Sequence, residues 1–402
     1  MIKRSDFPIL KSKINHQPMI YFDNAATTQK PQVVIKAISN YYLKDNANLH
    51  SNLNPLGERA FKKYQVARKT VADFIGSSSE EIIFTSGATA SLNLIARTWG
   101  ENSLSAGDIV VLTLAEHHAN LVPWLQLQER KKIKIKYINI LPDGSLDLDS
   151  AKKLLSLPKV KLVSLANVSN VLGIINPVEK IIKIAQSKNI TTVIDASSGI
   201  SHFQTEVKKL GCDFLVFSGH KLYGPMGVGV LYGRKELLDS LKPLFGGGGM
   251  INQVYLDSFT TTNSPDKFEA GTPNIAGVIG LAEACSYLKK VTWVKINKQE
   301  EELKKHFLKK VKEFPFLKIM GTNNKKIPLF SFVLRGVHPH DLGDILGQKG
   351  IILRAGHHCA QPLHDFFKVP ATLRASLSFY NTKAEINFFF KSLKEVHHHF
   401  NR

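Results

Sequence analysis

A lysine flanked by glycines is the residue of this sequence best placed to do chemistry. Lys221 lies in the segment 218–224 and follows an apolar run, residues 214–217, that predicts a buried strand. Desolvation at the end of such a strand favours the neutral amine, because burial penalises the ammonium ion. A neutral amine is a nucleophile that can form a Schiff base with a carbonyl compound. Lys221 is therefore a candidate for covalent catalysis.

Three further groups follow apolar runs in the same way and could complete a site around Lys221. Asp195 ends the run that begins at residue 191, His117 follows the run 109–112, and the small residues 85–89 separate a predicted strand from a predicted helix. Residues after the strands of an α/β sheet meet at one edge, where ligands bind. A helix N-terminus binds phosphate, a carboxylate keeps a pyridine nitrogen protonated, and histidine moves protons near pH 7. The combination predicts a site for pyridoxal 5'-phosphate.

The chain resembles the fold-type I pyridoxal-phosphate enzymes of the class V aminotransferase group. More narrowly, it resembles the SUF-type (group II) cysteine desulfurases. The resemblance rests on six stretches that span nearly the whole chain, namely residues 21–28, 116–124, 168–173, 213–225, 268–274 and 354–360. The last stretch contains Cys359 and separates desulfurases from relatives that have the same lysine but no cysteine there.

The resemblance implies a reaction and a set of partners. L-cysteine would be converted to L-alanine, with the sulfur held as a persulfide on Cys359 and passed to a SufE- or SufU-like acceptor for iron–sulfur cluster assembly. Selenocysteine would be a second substrate. The enzyme would be a homodimer in which Thr272 reaches the cofactor of the other subunit.

The resemblance also implies a role for each matching residue. Lys221 would carry the cofactor and later act as the base, Asp195 would pair with the pyridine nitrogen, and His117 would stack on the ring. The other residues expected to bind the cofactor are Ala88, Thr89, Ser198, Ser218, His220 and Thr272. The residues expected to bind the substrate are Ala26, Asn170, Arg354 and Arg374.

Four positions depart from the family's usual pattern. Ser198 stands where a glutamine is usual, Asn167 where a histidine is common, Ala90 where a glutamate is common and Ser51 where an arginine is common. Ser198 is shorter than glutamine, so its contact with the cofactor would be altered or mediated by water. Ala90 and Ser51 bear on contacts with a subunit or partner.

Cys359 differs from the other two cysteines of the chain. Cys212 adjoins an apolar run and Cys285 lies in a helical pattern, so both are predicted to be small buried hydrophobes. Cys359 lies in a predicted loop after Arg354 and two histidines, where cationic neighbours favour the thiolate. A metal site made of His357, His358 and Cys359 is disfavoured, because adjacent residues rarely bind one ion and no CxxC pair completes the ligands.

The order of apolar runs and helical patterns predicts an α/β fold with a mostly parallel sheet. Seven runs are predicted as its strands: 81–85, 109–113, 134–139, 161–166, 191–196, 214–218 and 228–232. Residues 58–74 are predicted as a helix that buries Phe61, Tyr64, Ala67, Val71 and Phe74. The glycines 246–249 should open an irregular excursion.

The fold expected is that of a fold-type I pyridoxal-phosphate-dependent transferase, with a seven-stranded large domain and a smaller α+β domain. Residues 21–285 are assigned to the large domain, and residues 1–20 and 286–402 to the small domain that carries the cysteine loop. Strands of the small domain are predicted at 329–334, 351–354 and 373–377.

Composition favours a cytoplasmic enzyme. The chain has 402 residues, 43% of them hydrophobic, and no apolar run approaches the length of a membrane span or a leader's apolar region. Three cysteines without pairing logic fit a reducing compartment. The net charge of +20 comes from lysines spread over the sequence, so it predicts solvated faces and no nucleic-acid partner.

Two alternatives stay open at this stage. One is another pyridoxal-phosphate enzyme of the same fold (an aminotransferase, a C–S lyase or an epimerase), in which Cys359 is incidental. The other is a basic nucleic-acid-binding or scaffold protein that has lost catalysis, which salt-dependent binding without cofactor absorbance would reveal.

Overall fold

The computed structural model describes residues 3–49 and 53–400, and its strands build two main sheets. The strands are β1 Lys13–Ile14, β2 Gln17–Pro18, β3 Ile20–Tyr21, β4 Ile82–Thr85, β5 Ile109–Thr113, β6 Lys134–Ile138, β7 Val160–Ala166, β8 Thr191–Asp195, β9 Phe214–Ser218, β10 Gly229–Gly233, β11 Ile251–Val254, β12 Phe259–Thr261, β13 Leu317–Ile319, β14 Leu329–Leu334, β15 Ile351–Ile352, β16 Arg354–Gly356 and β17 Thr372–Ser376.

Helices cover both sheets. They are α1 Gln32–Lys44, α2 Pro55–Ile75, α3 Ala88–Ile95, α4 Glu101–Ser103, α5 Val122–Lys131, α6 Leu148–Leu155, α7 Val178–Gln186, α8 Val207–Leu210, α9 Lys235–Ser240, α10 Ile275–Val291, α11 Trp293–Val311, α12 Pro339–Gln348, α13 Gln361–Phe367 and α14 Lys383–Phe400. Across the described residues, no helix has the length and apolar character that crossing a membrane requires.

The large sheet has seven strands in the order β4-β10-β9-β8-β7-β5-β6. All pairings are parallel except those of β10, which runs antiparallel to both of its neighbours. Strands β5 and β9 are buried along their whole length, whereas in the edge strand β6 exposed lysines alternate with half-buried residues. The predicted α/β fold with a mostly parallel seven-stranded sheet is confirmed.

One predicted helix face is wrong at a single position. The helix α2 begins after Asn54, whose Oδ1 accepts hydrogen bonds from two backbone N–H groups, and it ends at Gly76 with φ of +69°. Tyr64, Ala67, Val71 and Phe74 are buried as predicted, but Phe61 is 42% exposed. Ala60 takes the buried position instead, because the buried face of α2, which packs chiefly on α10, is centred one residue earlier in this turn.

The second sheet is antiparallel, with the order β13-β14-β17-β16. Helix α12 packs on it, and α11 and α14 share its hydrophobic core. Its core contains an aromatic cluster in which the rings of Phe307 and Phe330 stack at 4.0 Å. The short strands β3 and β15 pair in parallel beside this sheet.

The boundary expected at residue 285 falls inside α10, which continues without a break to Val291 and packs on α1 and α2. We therefore propose that the large domain extends to Thr292, and that Ile20 and Tyr21 of β3 belong with the small domain. The glycines 246–249 precede a hairpin formed by β11 and β12, where the sequence predicts an irregular excursion.

Candidate active site

A cleft of about 180 Å³ lies where the strand ends of the large sheet face the second sheet. Twelve of the residues predicted for the site line this cleft: Ala26, Ala88, Thr89, His117, Asn170, Asp195, Ser198, Ser218, His220, Lys221, Arg354 and Arg374. The structure therefore brings predicted site residues from both sheets together in one cleft. The two other predicted residues, Thr272 and Cys359, do not belong to the lining of the cleft.

One end of the cleft is built from the turn before α3. The backbone N–H of Ala88 donates to Ser218 Oγ at 2.9 Å, so the helix N-terminus is fixed against the end of β9. Close packing needs Gly229, because a Cβ atom at this position would lie 2.4 Å from the Cα atom of Gly87. Beside them, His220 Nδ1 is buried without a hydrogen-bond partner among the described residues. Such a group is costly unless a ligand satisfies it.

Lys221 projects into the middle of the cleft. Burial is the main cause that lowers its pKa, and nearby Arg374 and Arg354 add to the effect, while the Asp195 carboxylate opposes it. The Asp195 side chain is itself buried and accepts a hydrogen bond from the backbone N–H of Ser197 at 2.9 Å. An amine with a lowered pKa and a fixed carboxylate therefore share the cleft.

The ring of His117 has a defined tautomer. Its Nδ1 accepts a hydrogen bond from the backbone N–H of Ala119 at 3.0 Å, so the ring proton is on Nε2. Burial, together with the positive charge of Lys221, lowers the pKa of His117 to about 4. The imidazole is therefore neutral at pH 7.

Sequence reasoning missed the carboxylate that supports this wall. Glu116 is buried, and it accepts hydrogen bonds from Thr113 Oγ1 at 2.6 Å, Asn120 Nδ2 at 2.6 Å and the backbone N–H of Ala166 at 3.0 Å. Ala166 lines the cleft, so Glu116 fixes the backbone of its floor. The signal in the sequence that could have identified Glu116 is a charged residue that follows an apolar run.

Arg374 on β17 links the two sheets. Its Nη1 donates to the carbonyl oxygen of Asn170 at 2.8 Å, and its Nη2 donates to Asp23 Oδ1 at 3.2 Å. Its Nε has no partner among the described residues, although the whole guanidinium is buried. The side-chain amide of Asn170 is engaged elsewhere, since it donates to the carbonyl oxygen of His358 at 2.7 Å.

Cys359 lies between β16 and α13 and is half-buried. His358 and Cys359 have φ values of +52° and +56°, a left-handed conformation that non-glycine residues seldom adopt. The carbonyl oxygen of Cys359 accepts from the backbone N–H of His118 at 2.7 Å, which attaches the loop to the wall formed by His117 and His118. The cysteine thus lies beside the cleft, next to the lining residue His358.

The other cysteines and the unusual positions are placed as follows. Cys212 and Cys285 are buried as predicted, and burial raises the pKa of both thiols. Ser198 lines the cleft, whereas Asn167 is buried outside its lining and Ala90 is half-buried on α3. Thr272 is exposed, and its hydroxyl accepts a hydrogen bond from Asn48 Nδ2 at 3.0 Å. Ser51 lies outside the described residues.

The burial of Glu116 predicts a pH dependence of stability. Burial raises the pKa of this carboxyl group from 4.5 to about 7. The folded protein then binds the proton more tightly than the unfolded chain, so this contribution to stability is complete below about pH 4.5 and is lost as the pH rises through about 7. The thermal unfolding midpoint of Glu116→Gln, relative to the wild type, should therefore rise between about pH 5 and about pH 7.5.

Glu129→Gln, on an exposed position of α5, is the matched control for this measurement. A midpoint difference between Glu116→Gln and the wild type that is equal at every pH would contradict the assignment.

Comparison with known proteins places the chain in a family. The model of the family "Aminotransferase class-V" matches residues 20–389. The cysteine desulfurase of Wigglesworthia glossinidia brevipalpis is 45% identical over 398 residues, covering 98% of this chain and 96% of the relative. The probable cysteine desulfurase of Synechocystis sp. is 43% identical and covers 97% and 94% of the two chains.

Solved structures agree with this placement. The apo structure of the cysteine desulfurase from Thermococcus onnurineus NA1 has a TM-score of 0.93 and 40% identity, covering 98% of this chain and 96% of the other. The cysteine desulfurase CsdA (S-sulfonic acid) from Escherichia coli has a TM-score of 0.89 and 35% identity, with the same coverage. The chain therefore belongs to the class V aminotransferase family, within its group of cysteine desulfurases.

Proposed function

We propose that this protein is a pyridoxal-phosphate-dependent cysteine desulfurase that converts L-cysteine to L-alanine and holds the sulfur as a persulfide on Cys359. The observation that carries the proposal is the convergence of a desolvated lysine, a buried carboxylate and a buried arginine in one cleft, with a half-buried cysteine beside it. The family assignment supports the same reaction class.

The residues of the cleft fit pyridoxal phosphate. When bound, this group supplies a carbonyl carbon for an amine and a ring that withdraws electrons from Cα. Asp195 would pair with the nitrogen of the cofactor ring, and the uncharged imidazole of His117 would stack on that ring. The phosphate would accept hydrogen bonds from the N-terminus of α3 at Ala88 and Thr89, and from Ser218 and His220. The unpartnered Nδ1 of His220 supports a ligand at this end.

Lys221 is suited to bind the cofactor and then to move a proton. Burial lowers the pKa of its amine, so the neutral form is available as a nucleophile. With the substrate in the cleft, the same amine would be the base that takes the α-proton. Ser198 lines the cleft close in sequence to Asp195 and would contact the ring of the cofactor.

Arg374 and Arg354 would bind the substrate carboxylate. The Arg374 guanidinium is buried, and its Nε hydrogen is unused among the described residues, so a carboxylate would complete its hydrogen bonding. Arg354 reaches the same cleft from the strand that leads to the cysteine loop. Asn170 and Ala26 line the wall beside Arg374.

Sulfur transfer would then take place between two thiol sulfurs. The Cys359 thiolate attacks the substrate sulfur, so an S–S bond forms as the Cβ–S bond breaks. The electron pair of the broken bond stays on Cβ. A proton delivered to Cβ, and the return of the α-proton from Lys221 to Cα, give alanine. The sulfur is left as a persulfide, which a second thiol must remove before the next turnover. We propose a SufE- or SufU-like protein of the cytoplasm for this step, in a SUF-type pathway to iron–sulfur clusters.

The same residues would accept selenocysteine, because selenium replaces sulfur without changing the amino and carboxylate groups that the cleft would bind. The three free cysteines support a reducing compartment such as the cytoplasm.

A second copy of the chain would complete the site. Thr272 is exposed and outside its own cleft, and its segment is joined to the glycines before the hairpin of β11 and β12 by a hydrogen bond from Gly271 N to the carbonyl oxygen of Gly248 at 2.8 Å. Apolar side chains project from this hairpin, with Leu256 fully exposed and Val254 64% exposed. Exposed apolar patches of this kind mark protein interfaces. We propose that the hairpin is part of a homodimer interface.

Cys359→Ser should abolish desulfuration while the cofactor still binds. The hydroxyl is a far weaker nucleophile toward sulfur than the thiolate, so alanine production from L-cysteine should fall on the order of 10²-fold or more. Alanine and sulfide are measured with a reductant present, and cofactor binding by visible absorbance. Cys285→Ala, which removes a buried thiol remote from the loop, is the control. Normal alanine production by Cys359→Ser would favour another pyridoxal-phosphate enzyme of this fold.

Lys221→Ala should prevent covalent attachment of the cofactor. The protein is reduced with borohydride and digested, and the modified peptide is identified by mass spectrometry. The wild type should carry the label on Lys221, and the variant should carry none and lose the visible band. A label on Lys30, whose pKa burial lowers to about 7, would show that a different amine does this work.

Leu256→Asp should convert the dimer to a monomer, because a charge placed in an apolar interface must be desolvated without a partner. Light scattering after gel filtration gives the mass of each form. Val294→Asp is the control, since Val294 is 79% exposed but lies on α11. A wild type that runs as a monomer at micromolar concentration would overturn the dimer.

A further inference from the structure

Two buried histidines meet one hydroxyl group behind the cysteine loop. His358 Nε2 lies 3.0 Å from Thr372 Oγ1, and His364 Nε2 lies 3.1 Å from the same oxygen. The other nitrogen of His364, Nδ1, lies 3.1 Å from the carbonyl oxygen of Ala360. His358, His364 and Thr372 are 4%, 0% and 0% exposed, so solvent does not supply their hydrogen bonds.

The direction of each hydrogen bond follows from the chemistry of the partners. A carbonyl oxygen can only accept, so His364 Nδ1 carries the hydrogen that points to Ala360. A neutral imidazole has one N–H, and His364 Nε2 must therefore accept the hydroxyl hydrogen of Thr372. That hydroxyl has no second hydrogen, so Thr372 Oγ1 accepts from Nε2–H of His358. His358 Nδ1 is left with a lone pair, and it has no partner among the described residues.

Both rings are neutral at pH 7, as this scheme requires. Burial is the main cause of the lowered pKa of each imidazole. For His358, burial and the charges of Arg374 and Arg354 together lower the pKa to about 2. The pKa of His364 is also lowered by burial, while Asp365 and the bond to Ala360 oppose the shift.

The backbone held by these bonds is strained. His358 and Cys359 both have the left-handed backbone conformation, which is unfavourable for a non-glycine residue. Such a turn persists only where its surroundings impose it. The ring of His358 is bound to β17 through Thr372, and the carbonyl oxygen of Ala360, the residue after Cys359, is bound by His364, so these contacts hold the loop on both sides of the cysteine.

We propose that Thr372 and His364 are positioning residues, which hold the left-handed turn that presents Cys359 and fix the neighbouring His358 with its hydrogen on Nε2. The catalytic part of this inference rests on the proposed function of Cys359. The tautomer and the geometry of the loop do not depend on it.

The hydrogen bonds that run from His358 through Thr372 to His364 form a relay. This relay makes a distinctive prediction for His364→Phe. This change removes the acceptor for the Thr372 hydroxyl but keeps a planar ring of similar size. The hydroxyl hydrogen is then free to point at His358 Nε2, so the tautomer with hydrogen on Nδ1 becomes populated. Thr372→Val removes the link altogether, whereas Thr372→Ser retains it.

The test uses the holoenzyme labelled with ¹⁵N at histidine. Long-range ¹H–¹⁵N correlations report the tautomer of His358, and mass spectrometry reports the rate at which iodoacetamide alkylates Cys359. The wild type and Thr372→Ser should show His358 protonated on Nε2. His364→Phe should show the Nδ1–H form, and both His364→Phe and Thr372→Val should change the alkylation rate at Cys359. In these two variants kcat with L-cysteine should fall about tenfold or more with KM little changed, because the nucleophile is misplaced while the binding residues stay.

His306→Phe is the matched control, since His306 on α11 bonds to Asn387, and should leave both readouts unchanged. The inference is overturned if His358 of the wild type carries its hydrogen on Nδ1. It is also overturned if His364→Phe and Thr372→Val keep the wild-type tautomer and alkylation rate. A wild type with the expected tautomer but no alanine production would instead refute the proposed function and leave the relay standing.

Discussion

The architecture of the site depends on the hydrogen bonds of one buried group, the guanidinium of Arg374. It lies on the small sheet and is bound by the carbonyl oxygen of Asn170 and the carboxylate of Asp23. A buried charge without partners costs several kcal/mol, so the second sheet cannot separate from the large one without breaking these bonds. Because Asn170 also holds the carbonyl of His358, the position of the arginine and that of the cysteine loop are set together. One packing arrangement thereby places the arginine in the cleft and the cysteine loop beside it.

Desolvation is the common cause of the chemistry in this cleft. It lowers the pKa values of Lys221, His117 and His220, and it raises that of Glu116. The imidazoles are therefore neutral, and the permanent positive charges that line the cleft are those of Arg354 and Arg374. In the function proposed above, the arginines would attract the substrate carboxylate, and the lowered pKa of Lys221 would favour its reactive, neutral amine.

Much of this site could be predicted from the sequence, because strand ends in a parallel sheet meet at one edge. Asp195 ends an apolar run, and His117 and Lys221 each follow one. Assigning these runs to one parallel sheet was therefore enough to predict that the three side chains converge. The hydrogen bonds of Glu116 could not be foreseen, since its partners Ala166 and Asn120 come from different elements. The relay of His364 and Thr372 joins a helix to a strand and depends on the packing of α13. The exposure of Phe61 depends on the rotation of α2, which a pattern of apolar residues defines only to within about one residue.

The placement of Cys359 fits two requirements of the sulfur transfer proposed for it. A nucleophile that must reach a bound substrate should be held firmly, whereas a persulfide that must be handed on has to stay accessible from outside. The loop is fixed at His358 by Asn170 and Thr372, and at the carbonyl of Cys359 by His118. The cysteine itself is half-buried and stands outside the lining of the cleft, while the preceding residue lines it. The proposed transfer would therefore take place at the rim of the cleft, from a loop that hydrogen bonds hold at His358 and at Cys359.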